Sequence, residues 1–221
     1  MFKYITFNTG AETICFLVAV ICLTRNVSRI WKILVPYLFI TCAVEYAGVY
    51  LKKNHQPNQW PYNILLIFQI LVVSLIFMNL FSRYLKKKTL VIGGVAVLLL
   101  FYIYDTISHG FFTFYELTYN VMSVLYIIYC LYYFYLLLNA ESYIELEYSA
   151  NFWWVSGALF FYFGSTVVNI FRDELSPINM GGHNIGYYIY IILNIILYGC
   201  WSYSFICKQW LTTTPTTSRS S

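Results

Sequence analysis

The chain has 221 residues, of which 60% are hydrophobic and 21% aromatic, and its mean hydropathy is +0.66. Only 10% of the residues are charged, whereas a soluble domain carries about 25%, so a water-facing surface cannot be built. The net charge of +4 comes from short Lys and Arg clusters beside apolar runs, a placement typical of lipid headgroup regions. The composition predicts an integral membrane protein surrounded by lipid and gives no reason to expect a nucleic-acid partner.

Seven apolar stretches follow one another along the chain, each near the roughly 20 residues that cross a hydrocarbon core about 30 Å thick. They run from Ile5 to Leu23, Ile33 to Leu51, Pro61 to Phe81, Thr89 to Tyr104, Tyr115 to Leu138, Ala150 to Phe171 and Ile185 to Ile206. The fourth is the shortest, so six spanning helices is the alternative. The expected fold is an all-α membrane helix bundle over residues 1–208, with a disordered polar tail over residues 209–221.

Lys and Arg are divided unequally between the two sides that these helices define. The loops after the first and third helices hold the basic clusters Arg25–Lys32 and Arg83–Lys88, and the opposite side has fewer basic residues. Basic residues accumulate on the cytoplasmic side of membrane proteins. We therefore expect the N-terminus outside and the C-terminus in the cytoplasm.

Polar residues within the predicted helices are concentrated in their outer halves. Glu12 on the first helix and Glu45 on the second both lie about 10 Å from the outer surface at 1.5 Å per residue. Ionisable and amide groups inside a bilayer are costly and commonly functional. We therefore expect an outward-facing polar pocket, whose candidate ligand-binding residues are Glu12, Glu45, Gln69, Glu116, Asn120, Ser165, Asn169 and Asn194.

Glu12 and Glu45 have no Lys or Arg deep enough in the predicted helices to neutralise them. Two such carboxyls are expected either to share a proton or to hold a cation, which could be a metal ion or a ligand amine. The alternative is a structural role, in which protonated carboxyls hydrogen-bond neighbouring helices.

The three histidines, His55, His109 and His183, are predicted in outer loops, near several carboxylates. They could bind a metal ion, but their spacing matches no compact ligand motif, and solvated loop residues are the alternative. The sequence thus assigns no metal and no cofactor. The outer loop from Arg172 to Gly186 contains proline and glycine, which permit a folded turn, and it is predicted either as a lid over the pocket or as a plain connector.

Three segments, Ala11-Glu12-Thr13, Glu45 to Tyr50 and Asn63 to Gln69, resemble uncharacterised bacterial seven-helix integral membrane proteins. The resemblance implies seven helices in the bacterial inner (cytoplasmic) membrane and supplies no activity. The chain lacks a lysine in the seventh helix, which excludes a retinal site of the microbial rhodopsin kind. It also lacks the signatures of animal seven-helix receptors and the His-x-x-x-His pair of alkaline ceramidases.

These features favour a seven-helix sensor or receptor-like module that binds a small or lipid-like ligand in the outer pocket. It would pass the signal to a separate cytoplasmic partner docked on the basic loops. The alternative is a membrane-embedded lipid-modifying enzyme that uses Glu12 and Glu45 as acid and base or as metal ligands. A transporter is disfavoured because the sequence has no internal repeat and no paired broken helices.

Overall fold

Helices account for most of the described residues in the computed structural model, which covers residues 7–23, 27–82, 88–140, 145–180 and 182–213. The elements are α1 (Phe7–Leu23), α2 (Arg29–Lys32), α3 (Leu34–Lys53), α4 (Trp60–Phe81), α5 (Thr89–His109), α6 (Glu116–Leu138), α7 (Ala150–Ile170), α8 (Arg172–Leu175), β1 (Asn179–Met180), β2 (His183–Asn184) and α9 (Ile185–Thr213). A short 3-10 helix, Leu146–Tyr148, precedes α7. The two short strands form one antiparallel hairpin.

The long helices α1, α3, α4, α5, α6, α7 and α9 form a closed ring. Each packs against the next, α9 packs back against α1, and α4 also contacts α6, which leaves α5 at the rim. Short connections make neighbours in the chain antiparallel. We call the segment from Arg172 to Gly186 the lid, although Gly181 lies outside the described chain. The end of the bundle that carries the lid is the lid end, and the opposite end, where α9 finishes, is the tail end.

Within the described chain, five helical stretches are long and apolar enough to cross a membrane. They are Arg29–Lys53, Trp60–Phe81, Thr89–His109, Glu116–Leu138 and Ile185–Trp210. The described part of α1 is apolar but only 17 residues long, and α7 contains polar residues such as Ser165 and Asn169. The structure therefore confirms an all-α bundle with several helices of membrane-spanning length, while seven crossings stay a prediction.

Two predicted boundaries were wrong. The fourth predicted helix, α5, continues beyond Tyr104 to His109, because Asp105 is not a loop residue but bonds to the start of α6. The predicted tail begins too early, since α9 continues through residues 209–213. Pro215 disfavours helix at the residue before it, and residues 214–221 lie outside the described chain.

Aromatic side chains fill the half of the bundle nearer the tail end. Trp154 and Trp201 stack with ring centroids 5.3 Å apart and an interplanar angle of 9°, and the Trp201 indole N–H donates to the Trp154 carbonyl at 3.2 Å. Phe77 meets Trp154 edge-on at 5.5 Å, and Trp31 meets Phe205 edge-on at 6.3 Å. Such pairs add about 0.5–1.5 kcal/mol each beyond the area they bury. Most of the buried polar side chains lie nearer the lid end.

Candidate functional site

The eight residues predicted to form one pocket are sorted by their hydrogen bonds into three groups. Glu12 and Glu45 form a carboxyl pair between α1 and α3. Gln69 and Ser165 belong to a tyrosine network in the core. The remaining predicted residues, Glu116, Asn120, Asn169 and Asn194, lie toward the lid end on α6, α7 and α9. The residues predicted to form one polar pocket therefore lie in three separate clusters.

The carboxyl pair is held by two tyrosine hydroxyls. Tyr198 on α9 donates to Oε1 of Glu12 at 3.1 Å, and Tyr62 on α4 donates to Oε2 of Glu45 at 3.3 Å. The next residue along each helix fixes the register of α1 and α3, since the hydroxyls of Thr13 and Tyr46 lie 3.3 Å apart. The two carboxyls are close enough for their charges to interact. Four helices thus converge on one pair of carboxyl groups.

Gly48 makes room for one of these tyrosines. It lies one turn after Glu45 on α3, and a Cβ placed there would overlap the phenol of Tyr62. We expect Gly48→Ala to push Tyr62 away from Glu45 and to cost about 1 kcal/mol, the usual net value of a hydrogen bond. The melting temperature in detergent should fall by roughly 2–4 °C.

Gly93→Ala is the matched control for this substitution. Gly93 also lies in a long helix, but no atom lies within 4 Å of a Cβ built there. Alanine should leave that helix unchanged or stabilise it by up to about 1 kcal/mol through its higher helix propensity. Equal melting temperatures for the Gly48 and Gly93 variants would contradict the proposed packing of Tyr62.

Gln69 and Ser165 take part in packing within the bundle interior. The Gln69 side chain donates to the hydroxyl of Tyr162 at 2.9 Å, and Ser165 donates to the Tyr162 carbonyl at 3.0 Å. Tyr126 donates in turn to the carbonyl of Ile70 at 3.1 Å. These bonds join α4, α6 and α7, and buried polar groups that are satisfied in this way rigidify a core. The two residues therefore have structural partners here.

The group at the lid end centres on Arg172, the first residue of α8. Its Nη1 donates to Oε1 of Glu116 at 2.8 Å, and this hydrogen bond raises the pKa of Arg172 above its ordinary value. Its Nη2 donates to Oδ1 of Asn169 at 3.3 Å, which also accepts from the Tyr190 hydroxyl at 2.8 Å. Asn169 donates to Oδ1 of Asn120 at 2.9 Å. An ion pair and the hydrogen bonds of two asparagine amides thus connect α6, α7, α8 and α9.

Two cavities flank this network. The lid cavity, about 280 Å³, is lined by Asn169, Arg172 and Tyr190 together with the lid residues Leu175, Ser176 and Asn184. The histidine cavity, about 390 Å³, is lined by residues that include Asp105, His109, Glu116 and Asn120. The Glu116–Arg172 and Asn120–Asn169 bonds each join a residue of one cavity to a residue of the other, so they form the partition between the cavities.

The predicted lid is a folded segment that borders a cavity. Helix α8 and the hairpin occupy most of it, and the Ile185 amide donates to the Ile178 carbonyl at 2.9 Å. Gly182 has a φ of +90°, a backbone conformation that favours glycine. Asn184 accepts from the amide of Tyr187 at 3.0 Å and so caps the start of α9. Asn194 donates to the carbonyl of Tyr190 within the same helix.

Asp105 was not among the predicted site residues, although it is almost fully buried. Its Oδ2 accepts from the amide and the hydroxyl of Thr118 at 2.9 and 2.7 Å, which satisfies donors in the first turn of α6. Its Oδ1 lies 3.4 Å from Nδ1 of His109, at the end of α5. His109 therefore belongs to a helix rather than to a loop.

A metal site built from the histidines and nearby carboxylates does not form among the described residues. No group of three or more His, Cys, Asp or Glu side chains that could hold a metal ion occurs in that part of the chain. The side chain of His183 lies outside the described residues. His55 follows α3 and is exposed, with a φ of 54°.

The predicted site residues did not include the tyrosines whose hydroxyls donate to three of them. Tyr62, Tyr190 and Tyr198 all donate to predicted site residues, but the chain contains 23 tyrosines, so their number hides the few that matter. Spacing along the helix could have identified Tyr198, because it lies four residues after Asn194 and therefore shares a helix face with it.

Comparison of the whole chain with protein-family models, with curated proteins and with solved structures finds no match in any of the three. The resemblance to bacterial seven-helix membrane proteins therefore stays a prediction.

Proposed function

We propose that this protein is a seven-helix, receptor-like membrane sensor that binds a small or lipid-like ligand at the lid end. The observation that carries the proposal is Arg172, whose guanidinium lines the lid cavity while it bonds to Glu116 of the neighbouring cavity. A guanidinium offers five N–H donors in a rigid fork, and two of its nitrogens already hold Glu116 and Asn169. The remaining donors are suited to an anionic group.

The partition between the cavities is easily opened. The side chains of Arg172 and Glu116 are 52% and 57% exposed, and an ion pair of that kind contributes only about 0–1 kcal/mol. A ligand with a phosphate or carboxylate could therefore take the place of Glu116 beside Arg172. Val168 and Leu175 supply apolar wall in the same cavity, which suits a ligand that also carries hydrocarbon.

The orientation in the membrane follows from the predicted charge distribution. With seven crossings and the lid end outside, the cavities face the exterior of a bacterial inner membrane. The clusters Arg25–Lys32 and Arg83–Lys88 then lie in the cytoplasm, where a separate signalling partner could dock. Of these clusters, Arg25 and residues 83–87 lie outside the described chain.

Ligand-dependent stabilisation tests this function. The purified protein in detergent would be melted with no addition, with inorganic phosphate and with phosphatidylglycerol, which carry the same anionic group on a free ion and on a lipid. A ligand at a hundred times its Kd adds about 2.7 kcal/mol, which corresponds to roughly 5–10 °C for a chain of this size. We expect the shift with at least one probe in the parent protein and none in Arg172→Gln.

Lys52→Gln is the matched control, because it removes one positive charge from the same end of the bundle. Lys52 is exposed at the end of α3 and does not line the lid cavity. If both variants lose the ligand-dependent stabilisation equally, the stabilisation comes from general attraction of anions and not from a site at Arg172. Conversion of the added lipid to a product of different mass would favour the lipid-modifying alternative.

A further inference from the structure

We propose that Glu12, Glu45 and Asn8 form a second site, separate from the lid cavity, that binds one monovalent inorganic cation of the Na⁺ class. The proposal does not depend on the proposed ligand at the lid end. It rests on side-chain oxygen atoms of α1 that are buried and have no hydrogen-bond donor among the described residues.

The first of these atoms is Oε2 of Glu12. The residue is only 3% exposed, and its Oε1 is taken by the Tyr198 hydroxyl at 3.1 Å. Oε2 is buried and has no hydrogen-bond partner among the described residues. A buried carboxyl oxygen without a partner is costly, so it marks a place where something else supplies positive charge or a proton.

A second free oxygen lies one turn away on the same helix. Oδ1 of Asn8 is also buried and lacks a partner within the described chain, and residues four apart share a helix face. Glu45 supplies the third acceptor. Tyr62 engages its Oε2, and the contact between Thr13 and Tyr46 holds α3 at the level of Glu12. The free groups are all oxygens, the ligand type that hard cations prefer.

Among the described residues, thiol and phenol groups surround the two carboxyls. The titratable groups that interact with them are the thiols of Cys15 and Cys42 and the phenols of Tyr37, Tyr62 and Tyr198. Neither carboxyl forms an ion pair with Lys, Arg or His in the part of the chain that the structure describes. Two adjacent charges of like sign in the interior require compensation, and one monovalent cation together with one proton gives a neutral site.

Size and ligand number favour a monovalent ion over the alternatives. Ca²⁺ takes 6–8 oxygen ligands, and Mg²⁺ requires a near-ideal octahedron and keeps several waters, whereas this site offers three side chains. The burial of Glu12 favours a bare ion over the amine of a larger ligand. Because protons compete for the same oxygens, binding of the ion should weaken as the pH falls.

Equilibrium binding of ²²Na⁺ to the purified full-length chain tests the proposal. We expect saturable binding of one ion per chain, displaced by unlabelled Na⁺ and weakened at low pH. Glu12→Gln should lower the affinity by about tenfold or more, and Asn8→Ala should lower it while leaving both carboxyls in place. Glu147→Gln, a carboxyl change at an exposed residue near the tail end, and Arg172→Gln should both bind as the parent does.

Three results would overturn the proposal. The first is a folded, monodisperse parent protein that binds no ²²Na⁺. The second is equal binding by the parent and by both the Glu12 and Asn8 variants. The third is displacement by Ca²⁺ at lower concentration than by Na⁺, which would assign a divalent ion instead. If Glu12→Gln does not fold, Asn8→Ala decides the matter. Because Arg172→Gln tests only the lid cavity, failure of one site is distinguishable from failure of the other.

Discussion

Gly157→Ala is expected to destabilise the bundle by about 1–3 kcal/mol, the range for overpacking a well-filled core. Gly157 lies where α7 packs against α9, and a Cβ there would come within 2.7 Å of the Cys200 Cβ and 3.2 Å of the Leu197 carbonyl oxygen. A backbone atom cannot rotate away, so the helices must separate. Their separation would also strain the stacked pair Trp154–Trp201. The melting temperature in detergent, followed by tryptophan fluorescence, measures the effect.

Gly199→Ala provides the comparison on the facing helix. No atom lies within 4 Å of a Cβ built at Gly199, so the added methyl group meets no obstacle and the helix propensity improves. The two variants should therefore shift the melting temperature in opposite directions. A destabilisation of the same size in both would show that loss of glycine, and not the close approach of α7 and α9, is responsible.

Asn63→Ala is expected to cost about 2–4 kcal/mol, since it removes three hydrogen bonds of a fully buried side chain, each worth roughly 1 kcal/mol. The Asn63 amide donates to the carbonyls of Phe111 and Thr113 at 2.9 and 2.7 Å, and its Oδ1 accepts from the Tyr115 amide at 3.2 Å. These bonds fasten the loop between α5 and α6 to α4. Thermal melting and proteolysis of that loop report the loss.

We call the three hydrogen bonds between Asn63 and the α5–α6 loop the clamp. Two further variants separate the loss of the clamp from the general effect of losing an asparagine. Asn139→Ala removes an exposed side chain that donates to the Tyr135 carbonyl in its own helix turn, and it should change stability by less than about 0.5 kcal/mol. Asn63→Asp keeps the acceptor for Tyr115 but sets a carboxyl oxygen against two carbonyls, so it should destabilise nearly as much as alanine. A stable Asn63→Ala protein with an uncleaved loop would contradict the clamp.

The helices could be predicted from the sequence because apolar runs and basic loop clusters are strong signals for lipid exposure. Their ends were less predictable where polar residues continue a helix. The fourth predicted helix ended at Tyr104 because Asp105 is polar on a hydropathy scale. In the fold the Asp105 carboxyl is buried and bonded to Thr118, and the helix continues past it. A polar residue with a partner from another helix cannot be distinguished from a loop residue in sequence alone.

The candidate site was predictable as a list of residues but not as an arrangement. Helical periodicity identified polar faces, yet it does not fix how far each helix slides along or turns toward its neighbours. Asn120 and Asn169 were both predicted to face the pocket, but their bond to each other required the fold. Arg172 was assigned to a loop, and only the structure brings its guanidinium to Glu116, 56 residues away along the chain.

The aromatic filling of the tail half determines how an ion held at Glu12 could leave. Beyond that carboxyl, toward the tail end, Trp201 stacks on Trp154 and Phe205 meets Trp31 edge-on, and all four rings are buried. Indole and phenyl rings offer no oxygen to replace a shed hydration shell, and stripping water from an unpaired ion costs far more than thermal energy supplies. We therefore expect an ion at the proposed Glu12 site to exchange with the lid-end side. A protein that exchanges its ion in this way would respond to the ionic composition of the compartment that the lid end faces.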